Sequence, residues 1–262
     1  MIMIAVQSPH LKETLQRALA SANARRHEFA TLEHMLLALT EDQDAVAVMR
    51  GCRVDIDLLR QEVTHYIDTG LQDLVYPGPE KAPVGILRRL INAASKSNEA
   101  GQSGRFCRAL QRAQINRQNS GHKEVTGANV LAELLTERES KAVALLEVQG
   151  MTRFDALRFI SHGVVKGGES NLVAPQGVSD STRCTVKLLN DDYTPMDFVV
   201  RILEKIFDKS RKDAAQLMLQ IHRTGMAICG IYPCSIAMAK INIVMDDARK
   251  NEHPLQCTME KE

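Results

Sequence analysis

Thr185-Val186-Lys187-Leu188-Leu189-Asn190-Asp191-Asp192-Tyr193-Thr194-Pro195-Met196 changes its period halfway along, and that change sets the fold of the second half of the chain. Val186 and Leu188 alternate with Thr185 and Lys187, the pattern of a strand with one buried face. From Met196 the apolar residues recur as Val199, Val200, Leu203 and Phe207, which is helical spacing. Thr194 fits an N-cap, Pro195 the first helical position and Asp197 the third. Asn190, Asp191 and Asp192 then stand on a strand-to-helix loop, where functional groups are commonly displayed.

The next helix carries Ala214, Leu217, Met218 and Ile221, and Met218 shares a face with His222, four residues on. Together the two segments supply what a pocket for a free amino terminus with a bulky apolar first residue requires. An ammonium has three donors, and an Asn carbonyl, an Asp carboxylate and a neutral imidazole nitrogen are acceptors without a competing cation. Methionine adapts to flat or irregular side chains. Two or three charge-assisted bonds at ~1.5–3 kcal/mol each, with ~1.5–3 kcal/mol for burying one Leu or Phe and less the association entropy, give roughly micromolar binding. The bland alternative stays open at this point: Met218 and Ile221 are also where an ordinary core stripe falls, and Asp191-Asp192 also suits a plain turn.

Further on, Met226 to Tyr232 reads as a strand, Pro233 to Arg249 as a helix and Leu255 to Glu260 as a strand. In that last strand Leu255, Cys257 and Met259 make a dry face and Gln256, Thr258 and Glu260 a wet one. The order β-α-α-β-α-β predicts an α+β domain, a three-stranded antiparallel sheet with three helices on one side.

The first half is a repeat. Leu15-Gln16-Arg17-Ala18 returns 95 residues later as Leu110-Gln111-Arg112-Ala113, and the same offset pairs His27 with His122, Thr31 with Thr126, Leu36 with Leu131 and Leu39 with Leu134. Each copy reads as helix, loop, helix: Leu11, Leu15, Ala18, Leu19 and Ala22 form one stripe, and Thr31 and Thr126 cap the second helices. In the second copy Ala142, Val143, Leu145 and Leu146 follow. An all-α domain over residues 1–162 buries these stripes. It contains an insert at about 77–104, of which Ile86 to Gly101 loosely copies Phe106 to Gly121. His27, Glu28, His34 and His122 raise the idea of a metal cluster, but histidine at a helix start more often bonds locally or faces water. Residues 163–182, with eight of twenty Gly, Ser or Pro, are a flexible linker spanning ~25 Å.

Charge is balanced, Lys+Arg 33 against Asp+Glu 32, so nothing marks a nucleic-acid or membrane-surface footprint. No stretch is apolar for ~18 residues and no signal peptide is evident, so a cytoplasmic location is expected. The six cysteines show no Cys-x-x-Cys spacing and read as reduced, partly buried thiols. There is no Gly-x-x-x-x-Gly-Lys-Ser/Thr loop, no Gly-x-Ser-x-Gly and no His-Glu-x-x-His, so neither an ATPase engine nor a common hydrolase site is expected, nor a metal or other cofactor. An enzyme using Asp191 and His222 as a base toward Cys229 or Ser235 would need the groups that the amine reading already occupies.

From Arg183 to Glu262 the chain resembles ClpS, the N-end-rule adaptor of the Clp protease, through Asn190-Asp191-Asp192-Tyr193-Thr194-Pro195-Met196, Ala227-Ile228-Cys229-Gly230 and Asn251-Glu252-His253-Pro254-Leu255. The resemblance implies that Asn190, Asp191 and His222 hold a substrate α-amino group, with Asp192 and Thr194 shaping the loop. It further implies that Met196, Val199, Met218, Ile221 and Leu255 line a hydrophobic pocket with Met196 as its gate, and that Lys240 docks an ATPase. Ser235 and Met238 stand where glutamates belong in that docking face.

Residues 1–163 resemble the N-terminal domain of ClpA and related Clp ATPases, through Arg26 to Leu39, Glu124 to Leu131 and Arg158 to Gly163. The expected function is thus a non-enzymatic adaptor that binds proteins beginning with Leu, Phe, Tyr or Trp and brings them to a ClpA-like AAA+ ATPase and, through it, the ClpP peptidase. The alternative is a regulatory or decoy protein whose two modules dock on each other or compete with the ATPase N-domain.

Overall fold

The structure, a computed structural model, describes residues 6–75, 100–168 and 182–262. It divides into two units, Met1–Thr152 and Arg153–Glu262. The expected first domain runs to residue 162, whereas here the helix Arg153–His162 groups with the second unit. Most of the insert expected at 77–104 and of the linker expected at 163–182 lies outside the described residues.

The duplication is visible in the first unit down to single caps. Helix α1 (Pro9–Ala24) starts at Ser8, whose hydroxyl accepts from Leu11 N at 3.0 Å. Ninety-five residues on, Ser103 accepts from Phe106 N at 3.3 Å and starts α5 (Gly104–Asn119). Helices α2 (Leu32–Leu39) and α6 (Gly127–Leu134) open on capping boxes, Thr31 with His34 and Thr126 with Asn129. The apolar stripes meet in one core around Leu11, Met35, Leu36, Phe106, Leu131 and Leu134. Two helices escape the sequence reading, α3 (Gln43–Gly51) and α4 (Ile56–Gly70), capped by Asp42 and Asp55. Helix α7 (Lys141–Val148) closes the unit, with Glu33 accepting from Ala142 N at its start.

Two short strand pairs join the copies crosswise. β1 (Val6–Gln7) pairs in parallel with β4 (Glu124–Val125), and β2 (Phe29–Ala30) with β3 (Gly101–Gln102). By the 95-residue offset β1 is the counterpart of β3 and β2 of β4, so each copy completes the other's ladder. Apart from these pairs and an isolated antiparallel bridge between His27 and Val75, the regular structure of the described part of the unit is helical.

The second unit opens with helix α8 (Arg153–His162). Its sheet has the antiparallel order β6 (Met226–Pro233), β5 (Arg183–Leu189), β7 (Gln256–Lys261). Helices α9 (Met196–Lys205), α10 (Arg211–Thr224) and α11 (Cys234–Lys250) supply the rest of its core, where Val186, Leu188 and Cys257 meet Phe198, Ile202, Ile221, Ile241 and Val244. The three-stranded sheet with three helices is thus as expected.

Three details differ from expectation. Helix α9 takes Pro195 as N-cap with no side-chain cap, because Thr194 turns its hydroxyl elsewhere. Gln256, expected on the wet face of β7, is buried, and its amide nitrogen finds no partner. Cys184 and Cys234 form a disulfide instead of two free thiols: the start of β5 lies against the end of β6 and the first residue of α11, with the two Cα atoms 5.0 Å apart. Cys52, Cys107, Cys229 and Cys257 are free.

Candidate functional site

The loop after β5 is pinned at both ends. Asn190 N donates to Gly225 O at 2.8 Å. Gly225 is the C-cap of α10 with φ +85°, a conformation that favours glycine, and it stands three residues past His222. Asn190 is therefore held against the end of the helix that carries Met218 and His222. Asp191 then folds the loop around itself. Its Oδ1 accepts from Tyr193 N at 2.8 Å and Thr194 N at 2.6 Å, and its Oδ2 accepts from the Thr194 hydroxyl at 2.7 Å. The sequence reading gave the shaping of this loop to Asp192 and Thr194. Asp191 is the hub of these bonds, Thr194 is its partner, and Asp192 stands half-buried beside them.

The expected pocket residues fall into two layers. Val199, Ile221 and Leu255 are 7%, 2% and 2% exposed and belong to the closed core. Met218 is half-buried against that core, and Met196, in the first turn of α9, is 45% exposed. His222 is exposed on α10.

Two imidazoles that the sequence reading passes over lie near the Asp191 charge. His253 sets its ring edge-on to Phe198 at 4.5 Å, and the Arg201 guanidinium lies over that same Phe198 ring at 4.7 Å. Burial lowers the pKa of His253, with Asp191 pulling the other way. His162, at the end of α8, hydrogen-bonds the Pro254 backbone, and burial likewise lowers its pKa against the attraction of Asp191. His253 lies two positions before Leu255 inside a quoted motif, which is the signal that marks it. His162 belongs to a segment read with the first half, so nothing in the sequence points it toward this loop.

Lys240 is committed within its own domain. Its ammonium donates to the Ile206 carbonyl at the C-cap of α9 and to Asp208 at 3.2 Å, and lies 5.1 Å from the centre of the Tyr232 ring. Its side chain is 19% exposed. In the first unit His27 and His34 bond to each other, Nδ1 to Nε2 at 3.0 Å. Among the described residues no three His, Cys, Asp or Glu are grouped to hold a metal ion. Nor is any described helix long and apolar enough to cross a membrane.

Comparison with known proteins divides the chain along the same line. Residues 7–149 match the Clp repeat (R) N-terminal domain, and residues 179–258 match the ATP-dependent Clp protease adaptor protein ClpS. A ClpA homolog protein of Fuscovulum blasticum is 45% identical over 169 residues, 63% of this chain but 19% of that protein. The ATP-dependent Clp protease adapter protein ClpS of Caulobacter vibrioides is 46% identical over 104 residues, 37% of this chain and 95% of that protein. Among solved structures, Agrobacterium tumefaciens ClpS2 bound to L-phenylalaninamide is 34% identical with a TM-score of 0.30, covering 31% of this chain and 98% of that one. The chain belongs to the Clp repeat N-terminal domain family through its first half and to the ClpS adaptor family through its second. It spans about a fifth of the length of the ClpA homolog.

Proposed function

We propose that the chain is a non-enzymatic adaptor that captures polypeptides by a free N-terminal Leu, Phe, Tyr or Trp and delivers them to a ClpA-like AAA+ ATPase and, through it, to the ClpP peptidase. The observation that carries this reading is the Asn190–Gly225 bond, which sets the carboxylate loop beside the helix of Met218 and His222. In the proposal Asn190, Asp191 and His222 accept the three N–H bonds of the α-ammonium. The first side chain passes Met196 and Met218 to rest on Val199, Ile221 and Leu255. A β-branched first residue is excluded at Met196. Membership in the ClpS adaptor family supports the delivery role. The domain boundaries proposed are 1–162, 163–182 and 183–262, with α8 able to associate with the adaptor half as it does here.

A second reading, a regulatory or decoy protein whose two modules dock on each other or compete with the ATPase N-domain, is supported by the inward engagement of Lys240, which withdraws that cation from an external delivery contact. Charge loss on a docking face slows association and relaxes specificity. Degradation of a Phe-initiated reporter by a purified Clp ATPase and peptidase separates the two. Acceleration on adding the full chain supports the adaptor, and slowing supports the decoy.

A further inference from the structure

The first unit contains a cavity of 260 Å³ that the amine-binding reading does not use. It lies among the end of α2, helix α3 and the first turns of α4, with Val46, Val54 and Ile56 as its apolar side. Its polar side is built around Arg60. The Arg60 Nη2 donates to the Thr40 carbonyl at 3.1 Å and its Nε to the Thr40 hydroxyl at 3.3 Å, so the guanidinium plane is fixed. Asp57 comes within 3.8 Å of Nη1, but its side chain is 88% exposed, and so wet a pair leaves the cation largely unneutralised.

Arg50, on the last turn of α3, also lines the cavity, is exposed, and makes no hydrogen bond or ion pair among the described residues. Two guanidinium groups against one screened carboxylate leave the space positive, above a branched aliphatic wall. The duplication does not account for this. The caps of the later helices align at an offset of 97, Cys52 with Gln149, which places Glu147 and Leu157 at the positions of Arg50 and Arg60, so the second copy has no such pair of cations.

We propose that this cavity binds a carboxylate carried on a short branched aliphatic stem. Arg60, held rigid, and Arg50, free to close, present planar donors that match a carboxylate, while Val46, Val54 and Ile56 take the stem. A volume of 260 Å³ suits one amino-acid-sized group. Two sources carry this chemistry: a polypeptide ending in Leu, Ile or Val, and a free branched-chain acid. Asp57 at the rim distinguishes them, since it accepts the amide N–H that a chain terminus has and a free acid lacks.

Anisotropy of a labelled peptide ending in Leu, titrated with the full chain, tests the proposal. Its N-terminus is acetylated so that the second unit has no ammonium to hold. The carboxylate peptide is expected to bind at least about tenfold tighter than its C-terminal amide, a difference of about 1.4 kcal/mol. Arg50→Gln, a change at an exposed position, is expected to remove that difference. Arg60→Gln is a secondary variant because Arg60 also ties α4 to Thr40. Isovalerate as competitor identifies the source: displacement at equal concentration supports a free acid, and none supports a chain terminus. Equal affinity for acid and amide, an unchanged Arg50→Gln, or no binding at about 1 mM would overturn the assignment.

Discussion

Asp191 is asked to do two things with one carboxylate. Its oxygens already hold Tyr193 and Thr194, and the proposed ligand needs the lone pairs left over. Asp191→Ala should therefore abolish binding of a Phe-initiated peptide by loosening the loop as well as removing an acceptor. Thr194→Val removes a single bond, of about 1 kcal/mol, and should weaken binding about fivefold. Anisotropy of the same labelled peptide reads both. At the proposed gate, Met196→Ala should admit Ile- and Val-initiated peptides with little loss for Phe, read as a ratio of affinities. That Asp191 matters is legible in the sequence, because Asp beside Asn on a strand-to-helix loop is a displayed acceptor. Its grip on Thr194 is not legible: Thr-Pro before a helical stripe reads equally well as an N-cap, and the choice depends on where the carboxylate lies. Lys240 shows the same limit, since an isolated lysine on a helix gives no sign that Ile206 and Asp208 wait beneath it.

At the level of elements, the two capping boxes are a built-in comparison. Thr31 N donates to His34 Nδ1 at 3.1 Å, so Nε2 carries the proton that His27 Nδ1 accepts. Burial, with His27 and Arg25 adding to it, lowers the His34 pKa from 6.5 to about 4. The unfolded chain thus binds more protons between those values. Stability is full above pH 6.5 and falls as pH drops toward about 4, by on the order of 1 kcal/mol per pH unit. Amide exchange across Leu32–Leu39 should show protection declining over that window. His34→Asn installs the residue that Thr126 uses, where Asn129 Oδ1 accepts at 3.0 Å, and should flatten the decline. A protection profile that is already flat in the unsubstituted chain would contradict this account. The second helix of each copy is legible because a capping threonine precedes it. Helices α3 and α4 are not, since Asp42 and Asp55 look like loop residues until the first is seen accepting from Asp44 and Ala45 and the second from Leu58.

For the whole molecule, the 95-residue repeat announces the helical half, yet the crosswise pairing of β1 with β4 and β2 with β3 is hidden. Two-residue strands carry no period, and only the folded arrangement brings them together. The β-α-α-β-α-β order of the second half is legible for the opposite reason, its strands and helices being long enough to show alternation and stripe. Spacing did not reveal the Cys184–Cys234 bond, which joins residues 50 apart. In the chain-entropy view a loop of that length contributes about 4 kcal/mol. Alkylation followed by mass spectrometry should label Cys107 alone in the native chain, Cys52, Cys229 and Cys257 in addition after denaturation, and Cys184 and Cys234 only after reduction. Labelling of six thiols without reductant would show the bond absent.

The central claim is that a free α-ammonium, with an apolar group behind it, is what the Asn190–Asp191 loop recognises. Anisotropy of a labelled Phe-initiated peptide and its N-acetylated twin against the full chain measures this directly. The account predicts roughly micromolar binding of the free peptide and a loss of at least about a hundredfold on acetylation, since neutralising the amine removes two or three charge-assisted bonds. Equal affinity for the twins, or no affinity for either, would contradict it.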